Sequence, residues 1–359
     1  MIRGGGGSPP FFYFKMKILF HIPLFLPDHV SGAEYYVYDY AQEMLARGHE
    51  IMVVCDRSSV NELDGIKIHA VQNPEIFNLD YNWADVILTH LGRVGTAVNH
   101  CSTYRDGNKT IENYNKALIH ICHNNLKNSL LESKYWIGII HNSEWTKETR
   151  PYPNNPSALC RPALIKEFNQ QTSGSHITLI NLNENKGGKQ LKLIAEKLPE
   201  YKFIGIKGSY AGQVTDQPAN VMIIENGMKM KKIWAETKII IMPSLYEAYG
   251  RVAVEAISRG IPVVAHPAGG LLESLGDAGI FHDRNDIDSW CETIRNLMTD
   301  PKLYSIMQKK AKKQTEKIIE QGKEDVNNFE ELLYKMTKRE KELVPNRQTK
   351  ELKLQYENK

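Results

Sequence analysis

The sequence predicts an α/β protein made of two successive α/β units, each a parallel sheet covered by helices. Three observations predict it. Apolar strands alternate with segments of helical periodicity along most of the chain. The alternation is interrupted at Pro151–Pro162, where prolines bar regular structure and an interdomain linker is expected, and then restarts. The chain has 359 residues, 42% of them hydrophobic, which is too long for one ordinary domain and enough to bury two cores.

The first unit opens with "KMKILFHIP" (Lys15–Pro23), a buried strand. A loop with Ser31-Gly32 follows, then "AEYYVYDYAQEMLARGHE", apolar at helical spacing and ended by Gly48. "EIMVVC", "ADVILTH", "KALIHICHN" and "WIGIIHNSE" are further strands. Beyond the interruption, "HITLINL", "KFIGIKG", "NVMIIE", "KIIIMPS" and "IPVVAHP" are strands, and "GGKQLKLIAEKLP", "MKKIWAET" and "GRVAVEAISRG" are helices between them. "SWCETIRNLMTD" and the segment from Pro301 are helical, with a charged tail expected to fray from about Lys335. Residues 1–15 read as a disordered leader, because Lys15, Lys17 and Gly4–Gly7 break the apolar stretch where a signal peptide would continue it. Met16 is then the start of the fold, and a misassigned start codon would explain the leader.

Composition excludes several classes. A net charge of +3 gives no whole-chain reason to bind nucleic acid. Five scattered cysteines without a CxxC argue against a disulfide framework or a zinc site and fit a reducing, cytoplasmic compartment. No apolar run reaches the roughly 18 residues of a membrane span. Gly4–Gly7 precede the first strand, whereas a dinucleotide fingerprint follows it, which disfavours a nicotinamide dehydrogenase.

The chemistry concentrates in "PSLYEAYGRVAVEAISRGIPVVA" (Pro243–Ala265). The helix should start near Gly250, so Glu247 lies in the strand-to-helix loop and Glu255 in the second turn. They are therefore not a helical pair. Free N–H groups at a helix start favour an anion, and Gly250 lets the backbone approach closely. Ligands of open α/β sheets bind at the carboxyl ends of the strands, where this loop falls. Carboxylates only accept hydrogen bonds, which suits hydroxyl-rich ligands. A nucleotide-sugar satisfies each part: phosphates at the helix start, a ribose for Glu255 and a sugar for Glu247. Lys186 stands at another helix start, where the dipole disfavours a cation, and this points to an anion beside it. "DID" at Asp286–Asp288 has the lettering of a metal-binding motif but falls at a helix start and reads as a cap, so no metal is expected.

The E-x7-E after "PS", followed by "EAISRGIPVVA" and "GGLLE", resembles the donor-binding signature of retaining glycosyltransferases of family 4. The resemblance covers Met16 to about Glu320 and is strongest from Asn181 to Asp283. It implies the GT-B fold, with two Rossmann-like domains whose parallel sheets face across a cleft. Residues 16–155 would bind the acceptor and 156–320 the donor, and 321–359 would hold a helix crossing back and the charged tail. It also implies that Glu247 contacts the donor sugar near the reacting centre and that Glu255 holds the ribose. The loop through Tyr249, Gly250 and Arg251 would cover phosphates and sugar, with Gly269 and Gly270 forming a second donor loop. "NLNENKGGKQL" is similar to the family stretch G-R-L-x-x-x-K-G, with Lys186 on the phosphate-binding lysine and Asn181 where the family has arginine. Without a metal the leaving diphosphate needs positive charge, and Arg251 is expected to compensate. Gly32 falls on the family's glycine-rich loop, whose other glycine is Ser31 here. "HICHNN" places His123 on the strand-end histidine of the reaction centre. His120, three residues earlier on a strand, points to the other face. His90 is a further pocket candidate, and His21 is read as structural. Base recognition is placed near Asn226–Gly227.

The function so implied is transfer of a sugar from a nucleotide-diphosphate sugar, with retention and without metal or other cofactor. The acceptor would be a sugar, a lipid-linked or another small molecule. Nucleic acid is expected only as acceptor. Alternatives are a nucleotide-sugar 2-epimerase and a non-catalytic nucleotide-sugar or glycan-binding protein, the latter supported by Asn181. The lysines of "QKKAKKQTEKIIEQ" (Gln308–Gln321) form either a solvated helix face or a peripheral contact with an anionic membrane.

Overall fold

The computed structural model describes residues 15–71, 80–102, 104–106, 109–111, 116–124, 131, 137–162, 164–169, 174–227 and 230–356, with backbone alone for 99–111 and 338–356. The expected leader, residues 1–15, lies outside the described residues except for Lys15.

The first sheet starts with β1 (Lys17–His21), helix α1 (Gly32–Ala46) and β2 (Glu50–Cys55). The short β3 (Glu62–Leu63), β4 (Ile66–Ala70), β5 (Val86–His90) and helix α2 (Arg93–Ser102) follow. A separate hairpin pairs β6 (Tyr104–Asp106) with β7 (Lys109–Ile111). Then come β8 (Ala117–Cys122), β9 (Ile137–His141), helix α3 (Glu144–Thr149) and β10 (Ser157–Leu159). The eight strands run in the order β10-β9-β8-β5-β1-β2-β4-β3, parallel except for the β3–β4 pair.

The second sheet holds β11 (His176–Ile180), β12 (Phe203–Ile206), β13 (Val221–Ile224), β14 (Thr237–Met242), β15 (Val263–Ala265) and β16 (Gly279–Phe281). It is wholly parallel, ordered β13-β12-β11-β14-β15-β16. Helices α4 (Gly188–Lys197), α5 (Met230–Glu236), α6 (Arg251–Ile257) and α7 (Leu271–Leu275) connect its strands. Helices α8 (Ile287–Thr299) and α9 (Pro301–Tyr356) end the chain.

Unbroken apolar runs become strands buried on both faces. In β1, Ile18 and Phe20 pack with Tyr36 and Tyr40 of α1, while Leu19 between them joins Val54 and Ile87 on the other face. In β14, Ile240 packs with Val254 and Ile257 of α6, while Ile239 and Ile241 meet Leu191, Ile194 and Trp290. Asp286 caps α8, its carboxylate accepting the Ser289 N–H at 3.2 Å, as read from the sequence.

Two expectations need correction. Pro151–Pro162 is not barred from regular structure. It contains β10, whose three residues pair in parallel with β9, so the first sheet runs past residue 155. The prolines flank the strand at Pro156 and Pro162, where an edge position spares their missing N–H. The charged tail from Lys335 continues as helix, and α9 runs from Pro301 to Tyr356. Its early turns bury Ala311 and Ile318 in the second domain's core, and its later turns carry Val326, Phe329, Leu333 and Met336 into the first domain's. There Glu330 accepts from Arg47 at 2.5 Å and pairs with His49 at 2.9 Å.

Candidate active site

Strand order reverses between β11 and β14 in the second sheet and between β1 and β5 in the first. A crevice opens at the carboxyl ends of strands at such a reversal. Elements that follow the strand ends of the two sheets meet. Ser209 and Asn226, after β12 and β13, donate to the Val30 carbonyl, before α1, at 2.6 and 3.0 Å. Trp145 of α3 packs edge-on against Tyr246, ring centroids 5.2 Å apart. The Asn226 amide, expected near a base, is thus spent on the first domain.

Lys186 and Glu247 face each other across the second crevice. Lys186 ends a 3-10 turn (Glu184–Lys186), closed by Gly187 at φ +103°, where a Cβ would strike Pro243. Its ammonium donates to Glu247 Oε1 at 2.6 Å and to the Tyr246 carbonyl at 3.2 Å. Burial works against the charged amine, but the Glu247 carboxylate together with Tyr210 raises the pKa. The anion that the sequence pointed to beside Lys186 is therefore, in this structure, Glu247. Ser244 adds a hydrogen bond to the same Oε1 at 2.9 Å.

The glycines explain how the loops fit. Gly250 caps α6 at φ +96°, and a Cβ there would meet Leu271 at 2.4 Å. Gly269 and Gly270 press against the backbone of Glu247 and Ala248, where added Cβ atoms would lie 2.1 and 2.2 Å from the carbonyl oxygens. The Gly270 N–H donates to the Glu247 carbonyl at 2.8 Å. Their role here is to let the two loops stack and hold Glu247 in place.

Glu255 and Arg251 lie one turn apart on α6. Arg251 Nε donates to Glu255 Oε1 at 2.6 Å, and its NH1 donates to Asp39 Oδ2 of α1, also at 2.6 Å. The guanidinium also lies over the Tyr35 ring, 4.8 Å from its centroid. The expectation that Arg251 supplies free positive charge to a diphosphate is not met, because this arrangement spends the cation on two carboxylates.

Other expected residues fall as follows. Asn181 adopts φ +78°, a conformation asparagine tolerates better than arginine. Its side chain packs against Gly208 and accepts the Asn183 N–H at 3.1 Å. Gly32 begins α1 in open space, next to Ser31, whose hydroxyl donates to buried Glu34. Tyr249 is 2% exposed within the second domain's core, so only its backbone reaches the loop. His123 follows β8, its ring edge-on to Tyr36 and His90, with centroids 5.2 and 5.0 Å away. Burial pushes its pKa down to about 4, so it presents a neutral imidazole. His123 Nε2 and both ring nitrogens of His90 have no partner among the described residues. His120 faces Thr89 instead, at 3.1 Å.

Sequence reasoning missed Asp39, Tyr35 and Arg161. Arg161 donates to Glu273 of "GGLLE" at 2.7 Å and to Asp325 of α9 at 2.9 Å, tying the linker to both. Tyr35 and Asp39 share one face of α1 at i, i+4 spacing, which was legible; their partner was not.

Two Rossmann-like domains whose strand-end loops meet in this way define the GT-B fold, and the chain has it. Residues 180–314 match the family model described as glycosyl transferases group 1. Among curated relatives, the chain is 33% identical over 138 residues to the sulfoquinovosyl transferase SQD2 of Arabidopsis thaliana, covering 35% of this chain and 27% of that protein. It is 37% identical over 68 residues to the O-antigen chain mannosyltransferase B of Escherichia coli, covering 19% and 18%. These matches thus span well under a third of the relatives' own length. Among solved structures, Anabaena HepE in complex with UDP-glucose superposes with a TM-score of 0.68 at 16% identity, over 87% of this chain and 99% of that one. The sucrose-phosphate synthase of Thermosynechococcus elongatus gives 0.63 at 14% identity, over 92% and 100%.

Proposed function

We infer that the protein is a retaining glycosyltransferase that moves a sugar from a nucleotide-diphosphate sugar to an acceptor without a metal. The observation that carries this reading is the Lys186–Glu247 pair, 2.6 Å apart at the strand-order reversal of the group 1 domain. A diphosphate entering the crevice competes for the Lys186 ammonium and stabilises there the charge that builds on the leaving group. Glu247, released from Lys186, accepts hydroxyls of the donor sugar, and Glu255 accepts those of the ribose. Retention follows if the acceptor oxygen bonds to the anomeric carbon on the face the phosphate leaves. The anomeric carbon–phosphate oxygen bond breaks, and the acceptor proton passes to a phosphate oxygen. No side chain need act as nucleophile, and neutral His123 lines the reacting centre from the first domain.

UDP-sugars are the first donors to try, since HepE is solved with UDP-glucose. The acceptor binds on the first domain, and the enzyme works in the cytoplasm. No helix among the described residues is long and apolar enough to cross a membrane. A lipid-linked acceptor would be met through peripheral contact, for which α9 exposes Lys309, Lys310, Lys313 and Lys317.

The test is a panel of UDP-, GDP- and ADP-sugars with and without EDTA, reading released nucleoside diphosphate and thermal shift. One donor should stabilise the protein and be turned over despite EDTA, and Glu247→Ala should abolish turnover. No thermal shift and no release with any donor would sink the reading.

A further inference from the structure

Arg251 joins two helices, α6 and α1. Along α6 it holds Glu255 by Oε1, and across the domain boundary it holds Asp39 by Oδ2, 212 residues away in sequence. The side chains of Arg251, Asp39 and Glu255 are 17, 19 and 21% exposed, which is shielded enough for the pairs to fix orientation. Tyr35, one turn before Asp39, closes the guanidinium's face. Nearby, Ser209 and Asn226 grip the Val30 carbonyl in the loop that leads into α1. The second domain therefore grasps α1 at its entrance and, through Asp39, about two turns further along.

Geometry makes this more than a tether. A glutamate side chain with three rotatable bonds does not hold one orientation unaided. Arg251 pins one oxygen of Glu255, and the guanidinium is itself pinned by Asp39. The position of the Glu255 carboxylate thus depends on whether α1 is docked. Tyr35 gives the guanidinium a planar seat that a lysine ammonium would not use in the same way.

We propose that Arg251 is a positioning residue that couples Glu255, and through it the recognition of a ribose diol, to docking of the first domain via Asp39. This rests on the reading that Glu255 accepts ribose hydroxyls. Nucleotide affinity then contains a contribution from a residue that never touches the nucleotide. Donor binding and domain docking favour each other by the same factor.

The experiment is calorimetric titration of UDP, ADP and GDP into the full chain, with the 2′,3′-dideoxy form of the nucleotide that binds best as comparison. Wild type should bind one nucleotide and prefer the hydroxylated form. Glu255→Ala should lose both the affinity and the preference. Asp39→Asn, of nearly equal size, should weaken the hydroxylated nucleotide about tenfold and narrow the gap to the dideoxy form. Arg251→Lys should do the same, with melting temperature followed for each variant. A merely structural role would weaken both nucleotides equally and leave the gap intact, which overturns the proposal. Unchanged or tighter binding by Asp39→Asn, while Glu255→Ala still fails, overturns it alone. Absence of binding by wild type, or Glu255→Ala binding as wild type does, overturns the nucleotide reading and the coupling with it.

Discussion

The two sheets end in different chemistry. At the carboxyl edge of the second, the polar groups are charged and matched, Lys186 with Glu247 and Arg251 with Glu255. At the edge of the first stand imidazoles: His21, His90 and His141 close β1, β5 and β9, and His123 follows β8. Burial lowers the pKa of His90, His123 and His141, so these three imidazoles are neutral near pH 7. The difference fits a division of labour. Under the proposed function, a diphosphate would need counter-charge that is already oriented, while neutral imidazoles would leave an acceptor's charge unconstrained.

The widest contrast should appear with acid. Burial holds His120 at about 3 and His141 at about 4, below the ordinary histidine value of 6.5. Such depressed groups contribute stability above pH 6.5 that is lost as pH falls towards their folded values, at about 1.4 kcal/mol per unit of depression. Asp325 works in the opposite sense, because burial raises it to about 6, so its contribution is present below 3.8 and lost as pH rises through 6. The histidines outnumber it. Thermal unfolding should therefore move to lower temperature between pH 7 and 4.5, and an unchanged midpoint would break the comparison.

Next in size, Lys186→Ala should lower turnover about 10²–10³-fold by removing charge opposite the leaving group, measured as nucleoside diphosphate release. His90→Leu removes a fully buried ring whose nitrogens have no partner among the described residues, so the melting temperature at pH 7 should hold or rise. The same variant should also lose less stability in acid. Last, Lys189→Ala breaks the exposed pair with Glu184 at 2.6 Å, and neither melting temperature nor turnover should move measurably. A large effect there would mean that charge matters everywhere on this domain and not only in its crevice.

Legibility followed the same divide. The second domain's candidate site lies in contiguous stretches, so Glu247 and Gly250 could be placed from local spacing, and Lys186 and Gly269 through the family resemblance. Ten strands were likewise legible as apolar runs. The short edge strands β3, β10 and β16 were not, since two or three residues carry no period. Nor was the hold on Arg251, because Asp39 and Tyr35 reach it only through the docking of two folded units. Tyr249 was misplaced because a motif position does not say which way a side chain turns, and here it turns into the core.

Helix α9 gives the chain an unusual order of completion. Its later apolar residues, Val326 to Met336, close a core whose other members begin at Met16. During synthesis the first domain emerges before the second yet keeps an apolar strip uncovered until the later turns of α9 have been made. The half that is born first is thus finished last. A nascent chain stalled short of residue 326 would present that strip to chaperones or to its neighbours.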